Sequence, residues 1–360
     1  MIYIHVPLCR RFCTYCGFYS EIAGDGCKEK YLDALTAEIR SSNGKDPGPL
    51  DTLYFGGGTP SVLDPADFRR ILDTLAEAGF HRTFDELTVE VNPEDIVTKG
   101  RGYVEALLAL GVNRFSVGIQ SLEDGILRWM NRRHDAARGL EALRILRECG
   151  VKNLSVDLIF GLSQLTETQW EDTVRRVLAA ARPEHVSAYQ LSIEEGSDLE
   201  HKVRKGYYTE ASDEQCRRQY DLLCGLLAAA GYEHYEISNF SLPGFRSRHN
   251  GGYWARVPYL GFGGGAHSFD GIRTRSWNSD KLAGYAKESE ILSAENSKIE
   301  RIMLSLRTSD GVEAAFLHDS CSPSALGRLL QERALAESDG RIRIPEDRFF
   351  VSDEIIKELI

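Results

Sequence analysis

At 360 residues, with 42% hydrophobic and 27% charged residues, the chain has the make-up of a folded protein with a large core. Its formal charge of −11 argues against nucleic acid as a main partner, because an acidic surface repels a polyanion. No apolar run approaches bilayer-spanning length and residues 1–7 lack the cationic lead of a signal peptide, so a cytoplasmic protein with no membrane span is expected.

In chain order, strand-like runs alternate with amphipathic stretches. The runs cover residues 2–6, 52–55, 87–91, 114–119, 154–160, 186–191 and 233–237. Helical periodicity fills 28–40, 65–78, 103–110, 136–149, 168–181 and 212–230, and Gly79, Gly111, Gly150 and Gly231 stand where helices should stop. This alternation predicts an α/β fold with a parallel sheet and right-handed crossovers. Six or seven units suit a complete or partial TIM-like (β/α) barrel better than a short dinucleotide-binding unit. The polar and glycine-rich motifs fall just after strands, where such barrels build their sites. Past residue 240 the rhythm breaks. The expected organisation is a barrel domain over residues 1–240, an irregular aromatic- and glycine-rich segment over 241–295, and a small, mainly helical domain over 296–360.

Three of the eight cysteines, Cys9, Cys13 and Cys16, crowd into one C-x3-C-x2-C stretch directly after the first strand. Three thiolates on one loop can hold three irons of a 4Fe-4S cubane and leave the fourth open to a small molecule. A structural zinc site is the rival, but it normally takes four ligands from paired motifs, and only His5 and Cys27 lie near. Cys149, Cys216 and Cys224 sit in helical patterns and read as small buried apolar residues.

Further candidates follow later strands. Gly56-Gly57-Gly58-Thr59-Pro60 follows the second; it is either a tight turn or a loop whose amides face a ligand. Glu90 follows the third and Gln120 the fourth. Asp157 lies inside the apolar run Val156-Asp157-Leu158-Ile159, where a carboxyl is costly unless paired or facing a wet cavity. Arg132 is either an exposed helix residue or a partner for a carboxylate.

The cysteine spacing resembles the signature of the radical S-adenosylmethionine (SAM) superfamily. The rest of the chain, from Ile2-Tyr3-Ile4-His5-Val6-Pro7 to Arg301-Ile302-Met303-Leu304-Ser305-Leu306, resembles the branch holding the oxygen-independent coproporphyrinogen III oxidases and the heme chaperones. The resemblance implies a radical SAM barrel with a small helical end domain, a 4Fe-4S cluster and SAM. An electron from the cluster then cleaves SAM to a 5′-deoxyadenosyl radical. It assigns SAM contacts to Tyr3, Gly57, Gly58, Thr59, Glu90, Gln120, Arg132 and Asp157, and links Tyr15, Gln120, Arg132 and Asp157 to a second SAM.

Two features set the chain apart from the oxidases. They carry a fourth cysteine where this chain has Phe18, and an extension before the first strand. The stretch His249-Asn250-Gly251-Gly252-Tyr253-Trp254 matches the HNxxYW motif of the heme chaperones. His249, with Tyr253 and Trp254 around it, is therefore an expected heme contact; a packed loop is the alternative, and His267 and Tyr253 are other axial candidates. The implied function is a chaperone that carries heme as cargo to a recipient hemoprotein such as one of a respiratory chain, with a reductant protein for the cluster and a homodimer as further partners. The enzymatic alternative is oxidative decarboxylation of coproporphyrinogen III in porphyrin biosynthesis.

Overall fold

The computed structural model describes residues 1–42, 48, 49 and 51–360. The chain begins with β1 (Ile2–Val6), the short β2 (Leu8–Cys9) and β3 (Glu21–Ile22), and then α1 (Cys27–Ser41). Strands and helices then alternate: β4 (Thr52–Gly57), α2 (Pro65–Glu77), β5 (Glu86–Val91), α3 (Pro93–Ala109), β6 (Arg114–Gln120), α4 (Asp124–Trp129), α5 (Ala136–Glu148), β7 (Leu154–Phe160), α6 (Glu167–Ala181), β8 (His185–Gln190), α7 (Asp198–Arg204) and α8 (Asp213–Ala229). Next come β9 (Glu233–Glu236), β10 (Asn239–Ser241), α9 (Arg248–Trp254), β11 (Leu260–Phe262), β12 (His267–Phe269), β13 (Thr274–Asn278) and β14 (Lys287–Ile291). The end of the chain forms α10 (Ala294–Leu306), β15 (Val312–Glu313), α11 (Ala314–Ser320), α12 (Pro323–Gln331), β16 (Ala336–Ser338), β17 (Arg341–Arg343) and α13 (Ser352–Lys357).

Local chemistry fixes the helix ends. Asp64 and Asp67 form a reciprocal capping box at α2, and Thr166 with Gln169 does the same at α6. Asn92 caps α3 through the amide of Glu94, and Pro93 takes the first helical position, where its missing N–H costs nothing. The four glycines expected at helix ends all have positive φ, between 82° at Gly150 and 96° at Gly111.

Among the described residues the main sheet has nine strands in the order β11-β1-β4-β5-β6-β7-β8-β10-β9. It is parallel from β11 to β8, and its two ends do not pair with each other. This is a partial (β/α) barrel. Its hydrophobic core lies between the outer sheet face and the helices, with Phe55 of β4 packed edge-on against Phe68 of α2 at 5.0 Å and Trp170 of α6 wholly buried. Each such side chain contributes about 1.5–3 kcal/mol by burial.

Two expectations need correction. The run 233–237 is not a further parallel strand: β9 forms an antiparallel hairpin with β10, which itself runs antiparallel to β8. The segment 241–295 is not irregular. It carries α9 and the sheet β12-β13-β14, and β11 pairs in parallel with β1, setting Leu260, Gly261 and Phe262 opposite Ile2, Tyr3 and Ile4. A boundary at residue 240 would thus cut through the barrel wall. Only glycine fits at 261, where a Cβ would lie 2.0 Å from the carbonyl oxygen of His267. Among the described residues no helix is long and apolar enough to cross a membrane.

Candidate functional site

The strands present opposite chemistry on their two faces. In β6, Phe115, Val117 and Ile119 are buried against helices, while Arg114, Ser116, Gly118 and Gln120 face a cavity; in β7, Val156 and Leu158 alternate with Ser155 and Asp157. Tyr54, Glu90, Ser187 and Tyr189 line the same space, so polar groups from several strands converge in the barrel interior. The cavity measures about 880 Å³ and opens beside the cysteine loop.

That loop is anchored through Thr14, the first of the two residues between its second and third cysteines. Thr14 is buried; its amide donates to the carbonyl of Met130 at 3.1 Å and its hydroxyl to that of Trp129 at 2.9 Å, while its carbonyl accepts from the amide of Leu199 at 2.8 Å. Asn131, held at φ 58°, donates its side-chain amide to the carbonyl of Phe12 at 2.7 Å. The loop is thereby pinned to the ends of α4 and α7, and Cys9, Cys13 and Cys16 all line the cavity. Burial pushes the Cys9 and Cys16 thiols up, Cys16 to about 11, so bound irons must draw off their protons. Among the described residues no three His, Cys, Asp or Glu side chains form a set for a single metal ion. A cubane needs no such set, because each thiolate binds a different iron.

Of the remaining candidates, Tyr15, Gly57, Gly58, Thr59, Glu90, Gln120, Arg132 and Asp157 line the same cavity as the cysteines, and Tyr3 does not. Gly57 has φ 106°, and a Cβ there would sit 2.6 Å from the His5 ring; Gly58 donates its amide to Val6 at 2.9 Å. The Thr59 hydroxyl lies 3.4 Å from Cys9 Sγ. Tyr3 bonds Nδ1 of His5 at 3.1 Å and stacks on Tyr54 at 6.1 Å. Tyr54 donates to Glu90 at 2.8 Å, and Ser116 donates to both oxygens of Asp157 at 3.1 Å. Burial raises the Glu90 carboxyl to about 7 and that of Asp157 to about 6. Arg132 places Nη1 3.3 Å from Cys13 Sγ and donates Nη2 to the Gly118 carbonyl at 2.7 Å. Burial holds the Tyr15 hydroxyl above its usual range, close to Arg132 and Cys13.

Three buried atoms of cavity-lining residues have no partner in the protein: Oε1 of Gln120 and Nε of Arg114 and of Arg132. Unpaired buried polar atoms are costly and rare, and they fit a ligand that supplies the missing partners. Three thiols, a side-chain-free cradle and orphaned polar atoms together suit a cluster with SAM beside it. Tyr54, Ser116, Ser187, Thr14 and Asn131 escaped the sequence reading. The first three share a signal, a polar residue every second position inside an apolar run.

The expected heme contacts are arranged otherwise. His249 lies on helix α9, not a loop, and is wholly buried. Its Nδ1 bonds Thr52 at 2.8 Å, its Nε2 bonds the Tyr253 hydroxyl at 2.9 Å, and its ring stacks on Tyr54 at 5.1 Å. Glu86 fixes the helix start by accepting from the amides of Arg248 and His249, both at 2.9 Å. Both ring nitrogens of His249 are thus engaged within the protein, and burial lowers its pKa to about 3. Tyr253 and Trp254 do not line the cavity; Asn250 does.

Fold and site together define a protein that carries a 4Fe-4S cluster and binds SAM. The profile of the Radical SAM superfamily matches residues 3–177. The chain is 30% identical to the heme chaperone HemW of Lactococcus lactis, over 99% of this chain and 96% of that protein. It is 33% identical to HemW of Synechocystis, over 88% and 79%. Among solved structures, coproporphyrinogen III oxidase (HemN) of Escherichia coli superposes with a TM-score of 0.81 at 21% identity, over 99% of this chain and 89% of that one. The chain belongs to the heme chaperone HemW family of the radical SAM superfamily.

Proposed function

We propose that this protein is a heme chaperone that binds heme and delivers it to recipient hemoproteins. The reading is carried by near full-length kinship with HemW of Lactococcus lactis. It is supported by Phe18, which stands where the oxidases bear a fourth cysteine and is 71% exposed at the cavity mouth. The protein would act in the cytoplasm, with a reductant protein feeding the cluster, a second copy as partner and a respiratory-chain protein among the recipients. Residues 296–360 would form the small end domain.

The test is anaerobic titration of the cluster-loaded protein with hemin, followed in the Soret band. Saturable, near-stoichiometric binding is expected, with no more than one equivalent of protoporphyrinogen formed from coproporphyrinogen III in the presence of SAM and reductant. Absence of saturable binding would remove the chaperone reading, and catalytic turnover would replace it with the oxidase.

A further inference from the structure

The cavity mouth is cationic on an otherwise acidic protein. The formal charge is −11, yet Arg10, Arg11, Arg132 and Arg133 all line the cavity. Two of these are committed to the protein: Arg132 to Cys13 and Gly118, and Arg133 to the buried Asp95 at 2.9 Å. Arg10 and Arg11 are exposed. Among the described residues Arg10 pairs only with Asp95, at 3.9 Å, a carboxylate already held by Arg133 and by Ser61. Arg11 makes no ion pair among the described residues.

The same loop displays two phenyl rings, Phe12 at 48% exposure and Phe18 at 71%. Large aromatic side chains normally go inside, and neighbouring exposed ones mark a contact surface. The carboxylates that line the cavity come from elsewhere: Glu90 and Asp157 from the strands, Glu194 packed against Gly17, and Asp353 from the C-terminal end. The cysteine loop itself carries cationic and apolar groups side by side.

We propose that Arg10, Arg11 and Phe18 dock a flat, apolar, dianionic ring at this mouth: an iron porphyrin held through its two propionates. Guanidinium groups match carboxylates as charge-assisted fork donors, and a phenyl ring covers a porphyrin face. This rests on the heme-chaperone reading and deepens it. It moves the cargo from the closed His249 network to the loop that carries the cluster.

The experiment is anaerobic Soret titration with hemin of wild type, R10E/R11E, R10K/R11K and the control R175E/R176E on the surface of α6, with iron and sulfide content matched by reconstitution. Hemin dimethyl ester, which lacks both carboxylates, is the second probe. R10E/R11E should raise the hemin Kd at least tenfold and R10K/R11K should fall between it and wild type, because lysine keeps the charge but loses the fork, while the control stays within about threefold of wild type. The ester should bind wild type and R10E/R11E alike. An unchanged hemin Kd in R10E/R11E overturns the inference and leaves the chaperone reading standing; so does an equal loss in R175E/R176E, which would reduce the effect to net charge. Failure of wild type to bind hemin overturns both.

Discussion

The guanidinium of Arg132 stands 3.3 Å from Sγ of Cys13 and, through its other nitrogen, grips the carbonyl of Gly118 at 2.7 Å. One side chain thus ties the cysteine loop to the end of β6 and sets a fixed positive charge beside a cluster thiolate. An electron added to a cluster next to a cation is stabilised by that cation, more so where water is excluded. Arg132→Gln is therefore expected to lower the midpoint potential of the cluster, and Arg132→Lys to lower it less. Potentiometric titration followed by electron paramagnetic resonance measures both; an unmoved potential would refute the electrostatic role.

Burial holds Glu90 at about 7 and Asp157 at about 6, with the Tyr54 hydroxyl pulling Glu90 down and the Asp157 charge pushing it up. Both values exceed those of an unfolded chain, about 4. The folded protein thus holds extra protons between about pH 4 and pH 7, so these groups make stability fall as pH rises through that window and level off above it. Glu90→Gln should stabilise the ligand-free protein by about 1–3 kcal/mol near pH 8, with the gain shrinking toward pH 4 in urea titrations. SAM affinity should move the opposite way in wild type, rising with pH as Glu90 ionises. Tyr54→Phe should shift that rise to higher pH, because it removes a bond that favours the carboxylate.

Gly57 occupies a left-handed conformation with the His5 ring where a side chain would go. Gly57→Ala is expected to cost about 1–3 kcal/mol of stability. Because the cradle itself must shift, SAM binding in equilibrium dialysis should weaken more than tenfold.

Much of this was legible in the amino acids. The alternation of runs carried the parallel sheet, the helix-end glycines carried its punctuation, and the spacing of Cys9, Cys13 and Cys16 carried the cluster. What stayed hidden depends on contacts between distant residues. The strand β11 is three residues long with a glycine at its centre, so it has neither length nor side-chain alternation to announce it. Thr14 and Asn131 act through backbone carbonyls, which no sequence pattern displays. His249 meets the same limit: an imidazole that could bind iron looks the same in sequence as one buried between Thr52 and Tyr253.

That difference can be measured. His249→Ala leaves Thr52 and Tyr253 unpaired and opens a void, so a loss of about 2–4 kcal/mol is expected in denaturant titrations. The hemin Kd of the variant, taken well below its unfolding transition, should stay within twofold of wild type. A large loss of affinity in a folded variant would restore His249 as a ligand.

The pairing of β1 with β11 also has a consequence in time. The first strand to leave the ribosome finds its outer neighbour only when residues 260–262 have followed, and such distant partners meet late in folding. Until then the sheet edge beside the root of the cysteine loop stays open. A chain truncated before residue 260 would therefore keep β1 as an exposed edge strand, open to pairing with another chain.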